Sequence, residues 1–178
     1  RITLPEPEAI TVNGSGDLKG EGRFKTGNMS VSVNGSGSAA LEMESGNVDV
    51  SVSGSGEISV KGRMKDLESS VSGSGQIYVD AESSGAFSGD VSGSGKINIQ
   101  GKAQSADLVI SGSGEVHGYG LSVARCNARI SGSGDIEITA TDDLDANISG
   151  SGTISYKGNP NHVNSHSSGS GKVRRAVQ

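Results

Sequence analysis

The chain has 178 residues, among them 29 glycines and 32 serines; only 31% are hydrophobic, and the formal net charge is −5. That length holds one domain, and 15 basic against 20 acidic residues with no tryptophan exclude a basic, aromatic-lined nucleic-acid groove. One cysteine, Cys126, excludes an internal disulfide framework and a multi-cysteine metal site, and no apolar run approaches the length of a membrane span.

Residues 1–9 (Arg-Ile-Thr-Leu-Pro-Glu-Pro-Glu-Ala) carry Pro5 and Pro7, match no full repeat, and read as an N-terminal cap or its remnant. They hold no signal peptide, and the start at Arg1 fits removal of a leader. From residue 10 onward one unit recurs. Gly-Ser-Gly opens at Gly14, Gly35, Gly54, Gly73, Gly93, Gly112, Gly132, Gly150 and Gly169, at spacings of 21, 19, 19, 20, 19, 20, 18 and 19. So much glycine and serine would suit a flexible linker, but disorder has no reason to keep register. A period near 19 sustained over the chain marks a stacked repeat.

Counting from the first glycine of each motif as zero, position −2 holds Val12, Val33, Val52, Val71, Val91, Ile110, Ile130 and Ile148. Positions −4 and −6 are mostly apolar or small, from Ile10 and Met29 to Ala146 and Val163. After the motif, +4 runs from Leu18 through Ile58, Ile77 and Ile97 to Val173, and +6 from Leu41 to Tyr156. Alternation with period two predicts strands on both flanks of each motif, one face buried. Parallel stacking then sets like residues over like, about 4.8 Å apart. A single coil buries too little to order itself, so the stack must fold as a quasi-one-dimensional unit. The predicted fold is an all-β, single-stranded parallel β-helix of eight to nine turns, filling residues 1–178 as one domain.

The two motif glycines are expected inward, at 0 and +2, forming a structural corner that excludes a β-carbon and uses positive φ. A sharp bend leaves the direction of the central serine open. A second corner is expected at +8 (Gly22, Gly62, Ala81, Gly101, Gly120, Ala140, Gly158), with Met43 the exception. The arc from +9 to −7 varies in length and is where insertions and individuality are expected. The pattern decays over residues 164–178. Ser165 and Ser167 replace apolar residues, and Lys172, Arg174 and Arg175 charge the last strand, with Arg175 inward by parity. Such ends discourage edge pairing and argue against filament growth.

The pattern Val/Ile-Ser-Gly-Ser-Gly-acidic-Ile-x-Ile/Val, as in Val52–Val60 and Ile130–Ile138, resembles the head GIN domain family of auto-transporter adhesins, frequent in Bacteroidetes. The resemblance spans residues 10–173. It implies a right-handed β-helix, secretion, and a place in the periplasm or at the cell surface, in some members through a lipid anchor outside this stretch. It supplies no catalytic residues.

His162 and His166 stand four apart, about 13 Å along a strand, too far to chelate one ion. The densest polar cluster comes from stacking: Glu115 and His117 (+3 and +5) beneath Asp135 and Glu137 of the next turn. Three acids and an imidazole on one outer face could build a cation site or an acid–base pair, as on the walls of β-helix polysaccharide lyases. No basic residues or long groove accompany them in the sequence. Gly-Ser-Gly-Asp at 14–17 and 132–135 is unlike the calcium-binding nonapeptide, because the +3 column does not keep aspartate. No histidine recurs beside the motif serines to activate a nucleophile. Serine ladders at a glycine corner do not suit the ordering of ice. The five aromatics (Phe24, Tyr78, Phe87, Tyr119, Tyr156) are scattered in sequence, Phe87 and Tyr156 at interior positions, so no sugar-stacking platform is predicted. The expectation is a non-enzymatic exported solenoid, an adhesion or scaffold module without cofactor or metal, meeting an extracellular or envelope partner that is protein or glycan. Two alternatives stand beside it: a polysaccharide-binding or polysaccharide-acting protein using the Glu115 face, and a self-assembling structural protein in the manner of bactofilins.

Overall fold

A computed structural model describes residues 7–83 and 85–176. Its strands are β1 (Ala9–Gly14), β2 (Asp17–Gly35), β3 (Ser38–Gly54), β4 (Glu57–Gly73), β5 (Gln76–Ser83), β6 (Ala86–Gly93), β7 (Lys96–Gly112), β8 (Glu115–Gly132), β9 (Asp135–Gly150), β10 (Thr153–Lys157), β11 (His162–Gly169) and β12 (Lys172–Arg175). Each coil pairs in parallel with the one before and the one after, in the order β1-β2-β3-β4-β5-β7-β8-β9-β10-β12, with β6 between β4 and β7 and β11 on β9. The result is an all-β solenoid of about nine turns, about 19 residues each.

Register follows the repeat. Val71 pairs with Val52 on one side and Val91 on the other, and Ile77 lies between Ile58 and Ile97. β-branched side chains suit this half-buried pleated wall. From Val33 to Ile148 the −2 column is no more than 2% exposed, and the +4 column from Ala39 to Ile154 is equally buried.

Backbone hydrogen bonds join consecutive corners. Ser74 N–H donates to Gly54 O at 2.9 Å and Gln76 N–H to Gly56 O at 2.9 Å, a pairing repeated from coil to coil. The two glycines serve different ends, and only one faces inward, contrary to the parity expected from sequence. Ser72, Gly73 and Ser74 are all exposed, while Gly75 is buried. Gly73 has φ +113°, which breaks the alternation and turns the central serine outward. A β-carbon there would also stand 2.6 Å from Gly54 O. At Gly56 the constraint is steric alone: a β-carbon would meet Val33 Cγ1 at 2.5 Å and Gly37 O at 2.7 Å. The branched side chain at −2 of the preceding coil thus occupies the space the second glycine vacates.

The interior tolerates local exchange of volume. At −4, Ser69 and Gly89 replace aliphatic residues, and the Phe87 ring covers Gly89, where a β-carbon would lie 3.1 Å from the ring edge. Ser69 Oγ is buried without a hydrogen-bond partner among the described residues. At +6, Gly118 stands where neighbours carry Ile99 and Ile138, and Leu121 supplies the missing apolar volume from further along. The register shifts between Asn98 and Gln100 against this coil, so the extra residue enters before the second corner and not in the +9 to −7 arc. Met43 and Met64 are both buried near that corner, and Phe87 is core while Tyr156 packs partly against it.

At the N-terminal end, residues 1–6 of the expected cap lie outside the described residues; Pro7 is buried and β1 begins at Ala9. At the other end every residue of β11 is exposed, Val163 at 43%, with no further coil over it among the described residues. Arg175 is exposed, not inward: its guanidinium donates to Gly158 O at 2.7 Å and Asn159 Oδ1 at 3.2 Å, folding outward over the preceding corner.

Gly56→Ala should cost about 2 kcal/mol by overpacking, read as a lower urea midpoint at unchanged m-value; an unaltered midpoint would remove the interlock described here. Cys126 is 4% exposed, and burial pushes its thiol up to about 12. It should resist iodoacetamide at pH 8 in the folded chain and label readily in denaturant.

Candidate functional site

The four residues singled out by stacking lie on β8 and β9. Glu115 is in register with Asp135, and His117 with Glu137. His117 sits between carboxylates: Nδ1 is 3.0 Å from Glu137 Oε2 and Nε2 is 2.9 Å from Glu115 Oε2. Lys96, one coil earlier at the same +3 position as Glu115, donates to that Oε2 at 2.7 Å. Lys96, Glu115, His117 and Glu137 therefore form a chain of alternating charge across three coils. Asp135 is exposed and makes no side-chain hydrogen bond or ion pair among the described residues, so the structure unites three of the four. Lys96 is the member that sequence reasoning missed, although the +3 column already placed it over Glu115.

The electrostatics follow from the geometry. The hydrogen bond to Glu137 raises the His117 pKa, burial opposes it, and the bond to Glu115 adds to the rise. The Glu115 carboxyl is held below its usual range, first by the Lys96 hydrogen bond, against burial, then by His117. When protonated, His117 donates from both nitrogens to these carboxylates and has no lone pair for a metal or a proton. A carboxylate held ionised is a poor general acid. Among the described residues no group of three or more His, Cys, Asp or Glu side chains could hold a metal ion. The cluster joins three coils through the Lys96–Glu115 and His117–Glu137 contacts.

Beside it lies a groove of about 600 Å³, floored by Val60, Val79 and Ile99. His117 and Glu137 line one end; Tyr78 and Tyr119 line it too, with Asn98 and Gln100 between. Tyr78 is 39% exposed, and its hydroxyl donates to Gln76 Oε1 at 2.7 Å. Lys157 Nζ stands 4.5 Å over the Tyr119 ring. The tyrosines are 41 residues apart in sequence, but coiling brings them to one surface, which corrects their reading as scattered. The signal was their odd repeat positions, +5 and +7, two coils apart. A longer groove, about 960 Å³, crosses the −7, −6 and −5 columns on another arc.

His162 and His166 are exposed on β11. The glycines of the corner column (Gly14 to Gly169) all have positive φ, between 90° and 130°. No helix among the described residues is long and apolar enough to cross a membrane.

Residues 1–84 and 65–160 match the model of the family described as "Putative auto-transporter adhesin, head GIN domain". The chain belongs to this family. Solved structures of like fold include one described as a "putative adhesin" from Parabacteroides merdae, 23% identical, TM-score 0.81, covering 99% of this chain and 94% of that one. Another "putative adhesin", from Parabacteroides distasonis, is 22% identical with TM-score 0.82, covering 98% and 94%. A third, also from Parabacteroides distasonis, is described as a "putative lipid binding protein"; it is 21% identical, TM-score 0.81, covering 99% and 95%. At these identities the likeness establishes the shared fold. No curated protein matches the chain.

The charge chain has a defined pH window. A raised His117 pKa gives stability fully present below the unfolded value of 6.5 and lost as pH climbs through the folded value. A lowered Glu115 pKa gives stability present above 4.5 and lost as pH falls through the folded value. Both hold between those limits. His117→Gln should therefore lower Tm most near pH 5.5, with the gap to wild type closing toward pH 9. A gap independent of pH would show that the imidazole acts by shape alone.

Proposed function

We propose that the chain is a non-enzymatic, exported adhesion or scaffold module of the cell envelope. The observation that carries the reading is the state of its best acid–base candidate: both His117 nitrogens are engaged by carboxylates, and Glu115 is shared with Lys96. Membership of a family described as adhesins supports the same conclusion, as does a scaffold that exposes long columns of identical side-chain type. Periplasmic or surface placement is part of this proposal and rests on the family.

A second reading, glycan binding without catalysis, is favoured by one observation. Tyr78 and Tyr119, with the amides Asn98 and Gln100, line one groove of about 600 Å³. Aromatic faces beside amides are the usual means of holding sugar rings.

Three measurements test the pair. Expressed from its full-length gene with an epitope tag, the protein should be reached by external protease on intact cells or released by osmotic shock; retention in the cytosol would overturn export. On a glycan array, binding lost in Tyr78→Ala/Tyr119→Ala would establish the second reading. Depolymerisation of acidic glycans by wild type but not by Glu115→Ala would overturn the non-enzymatic conclusion.

A further inference from the structure

The second corner carries charge in stripes. Two outward columns flank the buried Met43 and Ala81 and stay in register from β2 to β5. One reads Arg23, Glu42, Lys61, Asp80; the other reads Lys25, Glu44, Arg63, Glu82. Sign alternates along each column, and this serves cohesion: Arg23 pairs with Glu42 at 2.8 Å, Lys25 with Glu44 at 3.5 Å and Arg63 with Glu82 at 2.9 Å. Cohesion does not require the two columns to be in phase. A checkerboard would satisfy it equally and would also set opposite charges two residues apart on every strand. This chain does the reverse, since β2 and β4 each present two cations and β3 and β5 each two acids. Like charges two apart on one face of a strand repel, so stacking alone does not account for the phasing.

The stripes are also left open at their middle. Glu42 lies in register with Lys61 and Glu44 with Arg63, yet no ion pair among the described residues joins β3 to β4. Lys61 and Asp80 make no ion pair among the described residues, and with Arg23 they line one cleft of about 460 Å³. Even paired, the Arg63 and Glu82 side chains stay 69% and 75% exposed.

Symmetry gives the phasing a use. An interface between two identical chains about a twofold axis must be complementary to itself. An axis along the strand direction, passing between β3 and β4, reverses the order of the coils. It sets β2 against the second copy's β5 and β3 against its β4. Arg23 then meets the partner's Asp80, Lys25 the partner's Glu82, Glu42 the partner's Lys61 and Glu44 the partner's Arg63. Every stripe meets its opposite. An axis along the solenoid sets every stripe against its own sign. A checkerboard would be complementary to itself in both orientations; the stripes permit only one.

The geometry points to this face as a contact between two antiparallel copies of the chain. Four coils of exposed charge make a small interface, so the dimer is weak and sensitive to salt. Such pairing lets modules held at the same end on facing surfaces join, a use that rests on the adhesion reading above; the pairing itself does not.

Sedimentation of the purified chain at low salt should show a reversible dimer that dissociates as salt is raised. A zero-length carbodiimide should join Lys25 to Glu82 in that dimer. Within one copy these residues stand three coils apart, about 14 Å, so the link reports a second copy and needs no variant to fold. Arg23→Glu/Lys25→Glu and Asp80→Lys/Glu82→Lys should each weaken self-association at least tenfold, because each sets like stripes together. An equal mixture of the two should recover the dimer, since the altered stripes then meet opposite charge; recovery also shows that both variants fold. A monomer at every concentration, a dimer indifferent to salt, or Lys25–Glu44 links without Lys25–Glu82 would overturn the assignment. So would a mixture of folded variants that associates no better than either alone. None of these readouts depends on export or on glycan binding, so this contact and those readings can fail separately.

Discussion

Everything in this molecule depends on how one glycine corner lies on the next. The carbonyls of the motif glycines from Gly14 to Gly152 accept a hydrogen bond from the coil above, and the γ-carbon of a valine or isoleucine fills the gap left by the second glycine. Those two contacts fix the coil separation and the phase of the strands on either side. Once phase is fixed, the interior columns need only be apolar and of modest size, which is why valine, isoleucine and alanine suffice. The same constraint explains the high glycine and serine content, which in an aperiodic chain would signal disorder.

Stacking like over like suits apolar side chains and troubles charged ones, since identical charges in a column repel. This chain answers in two ways. In some columns sign alternates from coil to coil, as in Lys96, Glu115 and the Arg–Glu pairs of the second corner. In others acids recur without a cation between them, as Asp49, Glu68 and Asp107 do in the −5 column. Alternation serves cohesion. Repetition leaves a residual field, and a surface with an uncompensated field is the one better suited to meeting an outside partner.

Most of the fold was legible because the repeat wrote it nine times. The −2 and +4 columns named the core, and the near-constant period named the stack. The corner was read less well. Parity counting assumes unbroken alternation, and the positive φ of residues such as Gly73 breaks it, so the first glycine and the central serine face solvent. The bulge at Gly118 was hidden because Leu121 repairs the core from a position with no counterpart in other coils. The charge cluster was legible because Glu137 is in register with His117 and Glu115 precedes it by two on the same strand, but Lys96 and Asp135 changed places. A column lists neighbours; it does not say which of two acids reaches the imidazole. The tyrosine groove was obscured for a different reason: residues 41 apart look unrelated until the chain is wound.

Contacts in the solenoid fall almost entirely between consecutive turns. A whole turn is therefore the smallest amount by which such a chain can grow or shrink without disturbing its corners. Length becomes a quantised trait, stepping by about 4.8 Å per unit gained or lost. A duplication or loss inside the molecule would slide every downstream surface residue by one step while leaving the interior indistinguishable. In this way one ancestral scaffold can yield rulers of many lengths, each presenting its outer side chains at a different beat.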